Sequence, residues 1–379
     1  LVVFKDTKGK IGILDAYCAH RRANLFFGRN EECGIRCVYH GWKYDVTGQC
    51  VDMPSEPEGS NFAHKVRLTS YPAVVRGGVL WIYMGPGEHT PEPPNFEWSL
   101  LPAPQRYATK RMQQCNWAQA VEGGIDSSHI SFLHSRSDVQ ARKDEKVARN
   151  KLHAQDRHPV FDVKEANYGL SIGARRNAGQ NKYYWRITQF LLPFYTMIPP
   201  VGQFEHSGDQ PYNGHAWVPI DNHNTWTWSF GAHPHEDYDK KTYEFLAGSG
   251  GMWGPINQDY VPVQNKDNDY LMNRNVQKTE NFTGIDGIPN QDAAVQESMG
   301  PIVDRSKEHL GTSDSAIIAF RKLMLQLAKE LQKAKAPSAA IHGDWYNVRS
   351  ASILLDQHVD WQKGAAHLIS GQQLKSAAG

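Results

Sequence analysis

The stretch Cys18 to Trp42, CAHRRANLFFGRNEECGIRCVYHGW, decides the fold of the N-terminal part. It carries a cysteine and a histidine at each end: Cys18-Ala19-His20, then sixteen residues, then Cys37-Val38-Tyr39-His40, followed at once by Gly41-Trp42. Around it run short strand patterns, LVVF, IGILDAY, GIRCVYH, WKYDV, AVV and VLWIYM, separated by Gly9, Gly28, Gly48 and Gly77-Gly78. With no amphipathic helix among them, residues 1–85 are expected to form a small all-β domain. Two of its loops would then carry two thiols and two imidazoles. Such a set suits tetrahedral zinc or a [2Fe–2S] cluster in which histidines replace two cysteines on one iron. Zinc fingers usually pair like with like, whereas both halves here are mixed. Gly34 and Gly41 beside the ligands also suit backbone crowded around sulfides. Both details favour the cluster.

Composition narrows the function classes. The chain has 379 residues, 41 basic and 40 acidic, for a net charge of +1. That balance gives no bulk electrostatic case for nucleic acid or anionic membrane as partner. No apolar run approaches the roughly 18 residues of a membrane span. Five cysteines in a chain this long do not make a disulfide scaffold, so reduced thiols and a cytoplasmic setting are expected. Seventeen histidines point to metal. Without an initiator Met or signal peptide, the chain is expected to start inside a domain, an N-terminal segment being left out.

Residues 86–104 hold six of the 21 prolines and read as an extended connector. The rest, 105–379, reads as α+β. Residues 113–135 look partly helical and 158–232 strand-rich. Residues 312–335 form the clearest helix, with Thr312 or Ser313 as N-cap and an apolar stripe of Ile317, Phe320, Leu323, Met324, Leu327 and Leu331.

Within NWAQAVEGGIDSSHISFLHS (116–135) lie Glu122, Asp126, His129 and His134. Two histidines and a carboxylate are the start of a facial-triad iron(II) site with open coordination positions. Asp126 and His129 would share a helix face. His129 and His134, five apart, diverge by about 140° on a regular helix. A broken helix or a π-type bulge between them is therefore expected, helped by Gly123-Gly124.

The two patterns together resemble the Rieske non-haem iron ring-hydroxylating oxygenases, oxygenase (alpha) component, in the phthalate dioxygenase-like branch. The first matches C-x-H and C-x-x-H-G-W; the second matches D-x2-H-x4-H. The resemblance implies a Rieske domain, then an antiparallel-sheet-plus-helices (helix-grip-like) catalytic domain. It implies that Cys18, His20, Cys37 and His40 hold the [2Fe–2S] cluster, and that His129, His134 and Asp292 hold a mononuclear Fe(II) that uses O2. Asp126 would bridge to His40 of a neighbouring chain. A homotrimer or dimer of trimers is implied, with cis-dihydroxylation of an aromatic acid as the activity and monooxygenation or O-demethylation as the second option. The remaining reading of the residues is a non-enzymatic electron-transfer or zinc protein, which the second histidine pair argues against. One departure stands out: after the first cysteine the family usually has Pro-His-Arg-Gly, and here Arg22 takes the glycine's place.

No nicotinamide or flavin fingerprint is present, so NAD(P)H and flavin enter through a separate reductase. In the aromatic strand 183–198, Phe190 and Phe194, with Trp185, Tyr195 and Met197, are candidates to line a substrate pocket. Arg186 and Arg176, beside Arg175, are candidates to anchor a carboxylate by a bidentate fork. His233-Pro234-His235 and Gly248–Gly251 read as loops.

Overall fold

A computed structural model describes residues 1–85, 87, 90–136, 152–199 and 210–372. The chain divides into two compact units, Leu1–Pro93 and Pro94–Gly379.

The first unit is all-β. Strands β1 (Val2–Lys5) and β2 (Ile11–Leu14) form a hairpin around the turn Thr7–Lys10, where Asp6 Oδ1 accepts the N–H groups of Lys8 and Lys10. Strands β3 (Arg29–Glu31), β4 (Gly34–Arg36), β5 (Lys43–Tyr44) and β6 (Cys50–Asp52) form an antiparallel sheet in that order. A last hairpin joins β7 (Ala73–Arg76) to β8 (Val79–Ile82). Phe4, Leu14, Leu25, Ile35, Trp42, Tyr44 and Leu68 make its core. At about 25 cal/mol per Å² of apolar surface, a set this size is what drives a disulfide-free β domain to fold. All five cysteines are free thiols.

The second unit is built on one antiparallel sheet. Its strands are β9 (Arg106–Gln113), β10 (Val160–Ala166), β11 (Gly169–Asn177), β12 (Lys182–Leu191), β13 (Tyr195–Ile198), β14 (Tyr212–Pro219), β15 (Thr225–Ala232) and β16 (Ala351–Asp356). The order is β10-β11-β12-β13-β14-β15-β9. One edge of β12 is shared: residues 189–191 pair with β13 and residues 182–187 with β16. Helices given in full by the described residues include α1 (Glu97–Leu100), α2 (Trp117–Ile125), α3 (Lys240–Ala247), α4 (Arg274–Thr279), α5 (Ile288–Ser298), α6 (Ser315–Leu331) and α7 (Trp361–Ile369). Helix α2 packs against β12, β13 and β14, and α6 against β10 and β11. Among the described residues no helix is long and apolar enough to cross a membrane.

Two expectations need adjusting. The 86–104 stretch is not extended throughout. Between its prolines, Phe96, Trp98 and Leu101 are buried, Trp98 stacks on Phe230 at 4.8 Å, and the Glu97 carboxylate pairs with Arg349 inside the second unit. Aromatic burial here outweighs proline's preference for extended chain. Helix α6 is shorter than 312–335. A 3₁₀ turn over Thr312–Asp314 precedes it, and Asp314, not Thr312 or Ser313, is its N-cap, with a side chain that accepts from Gly311 N.

Candidate metal centres

In the first unit, two loops of the same construction carry the four candidate ligands. Cys18 N donates to Ala23 O and Arg22 N to Cys18 O; Cys37 N donates to Trp42 O and Gly41 N to Cys37 O. Each loop closes through a left-handed residue four after its cysteine, Arg22 (φ 64°) and Gly41 (φ 78°). The mixed halves sort themselves in space. Cys18 lies within hydrogen-bonding reach of Cys37, and both are buried. The His20 and His40 rings meet edge-on at 4.5 Å. Two thiols on one side and two imidazoles on the other are what a mixed-ligand [2Fe–2S] cluster requires. His20 Nδ1 is buried with no hydrogen-bond partner, which a cluster iron would satisfy. Trp42 stacks flat on His20 at 4.5 Å, and Tyr44 Oη sits 3.2 Å from Cys18 Sγ. Burial pushes the Tyr44 hydroxyl pKa far up, so it remains a neutral O–H able to donate to sulfur.

In the second unit, Asn116 caps α2 by accepting from Ala118 N, and the helix stops at Ile125. Asp126 is extended (φ −80°, ψ 122°) and turns its carboxylate back over the next residues. It accepts from Ser128 N at 2.6 Å and His129 N at 3.3 Å. That seeds the 3₁₀ turn His129–Ser131. The distortion is thus a break upstream of His129, not a bulge between the histidines. Neither histidine lies on a regular α-helix, which is how residues five apart converge.

His129 Nε2, His134 Nε2 and Asp292 Oδ1 form a near-equilateral triangle with sides of 3.2, 3.3 and 3.6 Å. The point equidistant from them lies about 2 Å from each, the bond length a first-row divalent ion takes to such donors. Among the described residues this is the one group of three with metal-ligand spacing. Each ring is held from behind. His129 Nδ1 lies 3.3 Å from Asp126 Oδ2, and His134 Nδ1 lies 2.8 Å from Gln291 Oε1. Gln291 Nε2 donates to Ile285 O, which fixes its Oε1 as the acceptor for His134. Both imidazoles therefore present Nε2 to a common point. Burial alone would raise the Asp292 pKa, but His134, His129 and Arg111 hold it below the usual carboxylate range. His129 and Asp292 keep 23% and 26% of their side-chain surface open although surrounded by protein, as walls of a cleft do. Beside His134 lies a cavity of ~220 Å³ lined by Ile130, Ser131, His153, Arg157 and Phe282.

Residues 1–72 match the Rieske [2Fe-2S] domain model, and residues 82–378 match the model described as LigXa C-terminal domain like. The chain belongs to the Rieske non-haem iron oxygenases. It is 38% identical to the phthalate 4,5-dioxygenase oxygenase subunit of Pseudomonas putida, over 97% of this chain and 84% of that one. It is 33% identical to the 3-chlorobenzoate-3,4-dioxygenase oxygenase subunit of Comamonas testosteroni, over 98% and 88%. A solved dicamba monooxygenase bound to dicamba shares the fold, with a TM-score of 0.57, 16% identity and coverage of 88% and 90%. As a Rieske oxygenase the chain is an oxygenase component, an oxidoreductase that uses a [2Fe–2S] cluster, mononuclear iron and O2.

The substrate candidates fare unequally in this Rieske oxygenase. Arg186 on β12 is buried with Nε unpartnered, and its charge is felt at His129. Arg176 is committed to the protein: it donates to Asp156 O, Ser127 O, Ser127 Oγ and Ser131 Oγ. It shapes the 127–131 loop and has no fork to offer a ligand. Phe190 is fully buried, edge-on to Phe320 of α6, so it belongs to the sheet–helix core. Phe194 packs on Tyr195. Gln291 as a partner of His134, Tyr44 as a partner of Cys18, and the buried Arg111 and His215 escaped the sequence reading. A charged residue in a strand reads as solvent-facing, and nothing local marks Arg111 otherwise.

Proposed function

We propose that this chain oxidises an aromatic acid, by cis-dihydroxylation, as the oxygenase component of a system with a separate flavin and iron–sulfur reductase. The observation that carries the proposal is the triangle of His129, His134 and Asp292, with Arg186 buried near enough for its charge to act on His129 and its Nε left without a partner. When bound, the cluster and the mononuclear iron supply electrons and oxygen activation. Cys18, Cys37, His20 and His40 are the residues to hold the cluster. His129, His134 and Asp292 are the residues that would hold the mononuclear iron, a donor set that suits oxygen-activating iron(II). Gln291 and Asp126 accept the Nδ1 protons and fix both imidazoles. Arg186 would receive a substrate carboxylate by its fork, since a buried guanidinium is costly unless paired. Asp126 would also reach His40 of a neighbouring copy, in a cyclic trimer or dimer of trimers within the cytoplasm. The relatives named above act, by their names, on phthalate and 3-chlorobenzoate, which supports the aromatic-acid class.

The test is product analysis with a surrogate reductase against phthalates, substituted benzoates and methoxybenzoates. A cis-diol from an acid is the expected result. Formaldehyde from methoxybenzoates alone would favour O-demethylation, the activity named in a 28% identical relative. No product from any acid sinks the reading.

A further inference from the structure

The second candidate cluster loop, residues 37–42, joins strands β4 and β5, which end and begin on cations, Arg36 and Lys43. The register extends this pair into a row. Arg29 on β3 lies opposite Arg36, Arg36 opposite Lys43, and Lys43 opposite Asp52 on β6. Residues opposite one another share a sheet face, and like charges so placed repel. Three cations side by side at the base of a ligand loop therefore need an account.

Part of the account is charge balance. Glu31 serves both arginines: its Oε2 accepts from Arg29 Nε at 3.0 Å and its Oε1 from Arg36 Nε. Lys43 Nζ reaches Glu32 Oε2 at 3.4 Å, and Arg36 Nη1 donates to Asp52 Oδ2 at 2.7 Å. Three carboxylates thus answer three cations. The other part is the loop. Arg36 Nη1 also donates to Gly41 O at 2.6 Å, and Gly41 N donates to Cys37 O. Both polar backbone groups of Gly41, the residue after His40, are therefore tied. Arg36 is the hub, since one guanidinium holds Glu31, Asp52 and the loop. Arg29 and Glu32 at the ends of the row are 72% and 81% exposed, so water screens them. Arg36 and Lys43, at 18% and 11%, are screened much less.

A [2Fe–2S] cluster gains a unit of negative charge when it is reduced, so its potential follows the charges and hydrogen bonds around it. We propose that Arg36 is a positioning residue of the cluster site. It clamps the loop that presents Cys37 and His40, and as hub of a balanced charge row it sets the potential at which the cluster takes an electron from a reductase. The proposal rests on the assignment of Cys18, His20, Cys37 and His40 as the cluster ligands. It adds that the row tunes the cluster in both directions. Removing Arg36 leaves a carboxylate unanswered and disfavours the reduced form; removing a carboxylate does the reverse.

The experiment is a redox titration of the cluster-loaded chain, followed by visible absorption, on wild type, Arg36→Met, Arg36→Lys, Asp52→Asn and the double variant Arg36→Met/Asp52→Asn. Arg36→Met should shift the equilibrium with a one-electron mediator toward the oxidised cluster by about three-fold or more, the scale of one partly screened unit charge. Asp52→Asn should shift it the other way, and the double variant should fall between the two. Release of cluster iron to a chelator is read separately. It should be faster in Arg36→Met and stay fast in the double variant, because Gly41 O has lost its donor in both. Arg36→Lys keeps the charge without the fork, so its potential should stay near wild type while its iron leaves faster. Shifts of the same sign in the two single variants, or no shift, mean that these side chains only brace the sheet, and overturn the proposal. Wild-type iron release in Arg36→Met overturns it too. If Arg36→Met does not fold, an unmoved potential in Asp52→Asn or wild-type release in Arg36→Lys overturns it. A Cys37→Ser control that keeps the wild-type cluster spectrum shows instead that the ligand assignment itself has failed.

Discussion

Arg22 occupies the position that Gly41 holds in the sister loop, both with positive φ. A left-handed non-glycine residue costs roughly 1 kcal/mol, and the Arg22 guanidinium, 5.0 Å from the centre of the Tyr17 ring, offsets part of it. The departure from the family pattern therefore leaves the loop intact. At this scale the candidate ligands were legible, the cysteines and histidines by their fixed spacing and Asp292 through the family resemblance alone. The residues behind them were not. Gln291 reaches His134 across a sequence gap of 157 residues, and no spacing rule spans that distance. Its role can be checked. Gln291→Leu removes the acceptor that holds His134 Nδ1–H and frees the ring to rotate. Iron affinity, measured by competition with a chelator, should fall about 10–100-fold, while the visible spectrum of the cluster is unchanged. Wild-type iron retention in that variant would remove Gln291 from the site.

Helix α2 matters less for its length than for where it ends. Its stop at Ile125 lets Asp126 accept from Ser128 N and His129 N and swing His129 toward His134; the sequence showed that a distortion was needed but put it between the histidines, downstream of where it occurs. An ion-pair cluster anchors the helix. Arg321 of α6 donates from Nε to Glu122 Oε1 at 2.8 Å and from Nη1 to Glu308 Oε2 at 2.6 Å, and Arg305 joins Glu122 at 3.0 Å. Glu122 was visible only as the acidic residue four before Asp126; its partners come from helices and turns more than 180 residues away. Arg321→Met leaves the mostly buried Glu122 with only Arg305. It should cost about 3 kcal/mol by urea denaturation, at the low end for breaking a buried pair. The cluster also sets an acid limit. The hydrogen bond from Arg321 holds the Glu308 pKa below its ordinary 4.5. A depressed carboxylate adds stability above its unfolded pKa and loses it as pH falls through the folded value. The wild-type urea midpoint should therefore drop as pH goes below 4.5, and Glu308→Gln should show a lower midpoint at pH 7 with a shallower drop.

At the scale of the whole chain, the order of an all-β part followed by an α+β part was readable from periodicity alone, since short strands with glycine turns give way to longer aromatic strands and one amphipathic helix. The sheet order was not readable. Strand β16 joins β12 from more than 150 residues away, and such pairings leave no local trace. Each chain carries one Rieske centre and one iron triad, and the proposed bridge through Asp126 makes them work between copies. That can be tested by mixing two inactive proteins. Cys18→Ser removes the cluster but keeps the triad; His134→Ala removes the triad but keeps the cluster. Co-expressed in equal amounts, they assemble at random into rings. In a head-to-tail trimer a working interface needs a cluster-bearing copy followed by a triad-bearing one. About a quarter of all interfaces meet that condition. Activity should therefore return to about a quarter of the wild-type value per chain, although each variant alone is inactive and no chain carries both centres. If each copy instead served its own iron, the mixed protein would stay inactive at every ratio. The ratio dependence discriminates further: with a fraction f of triad-bearing chains, activity should follow f(1 − f) and peak at equal mixing.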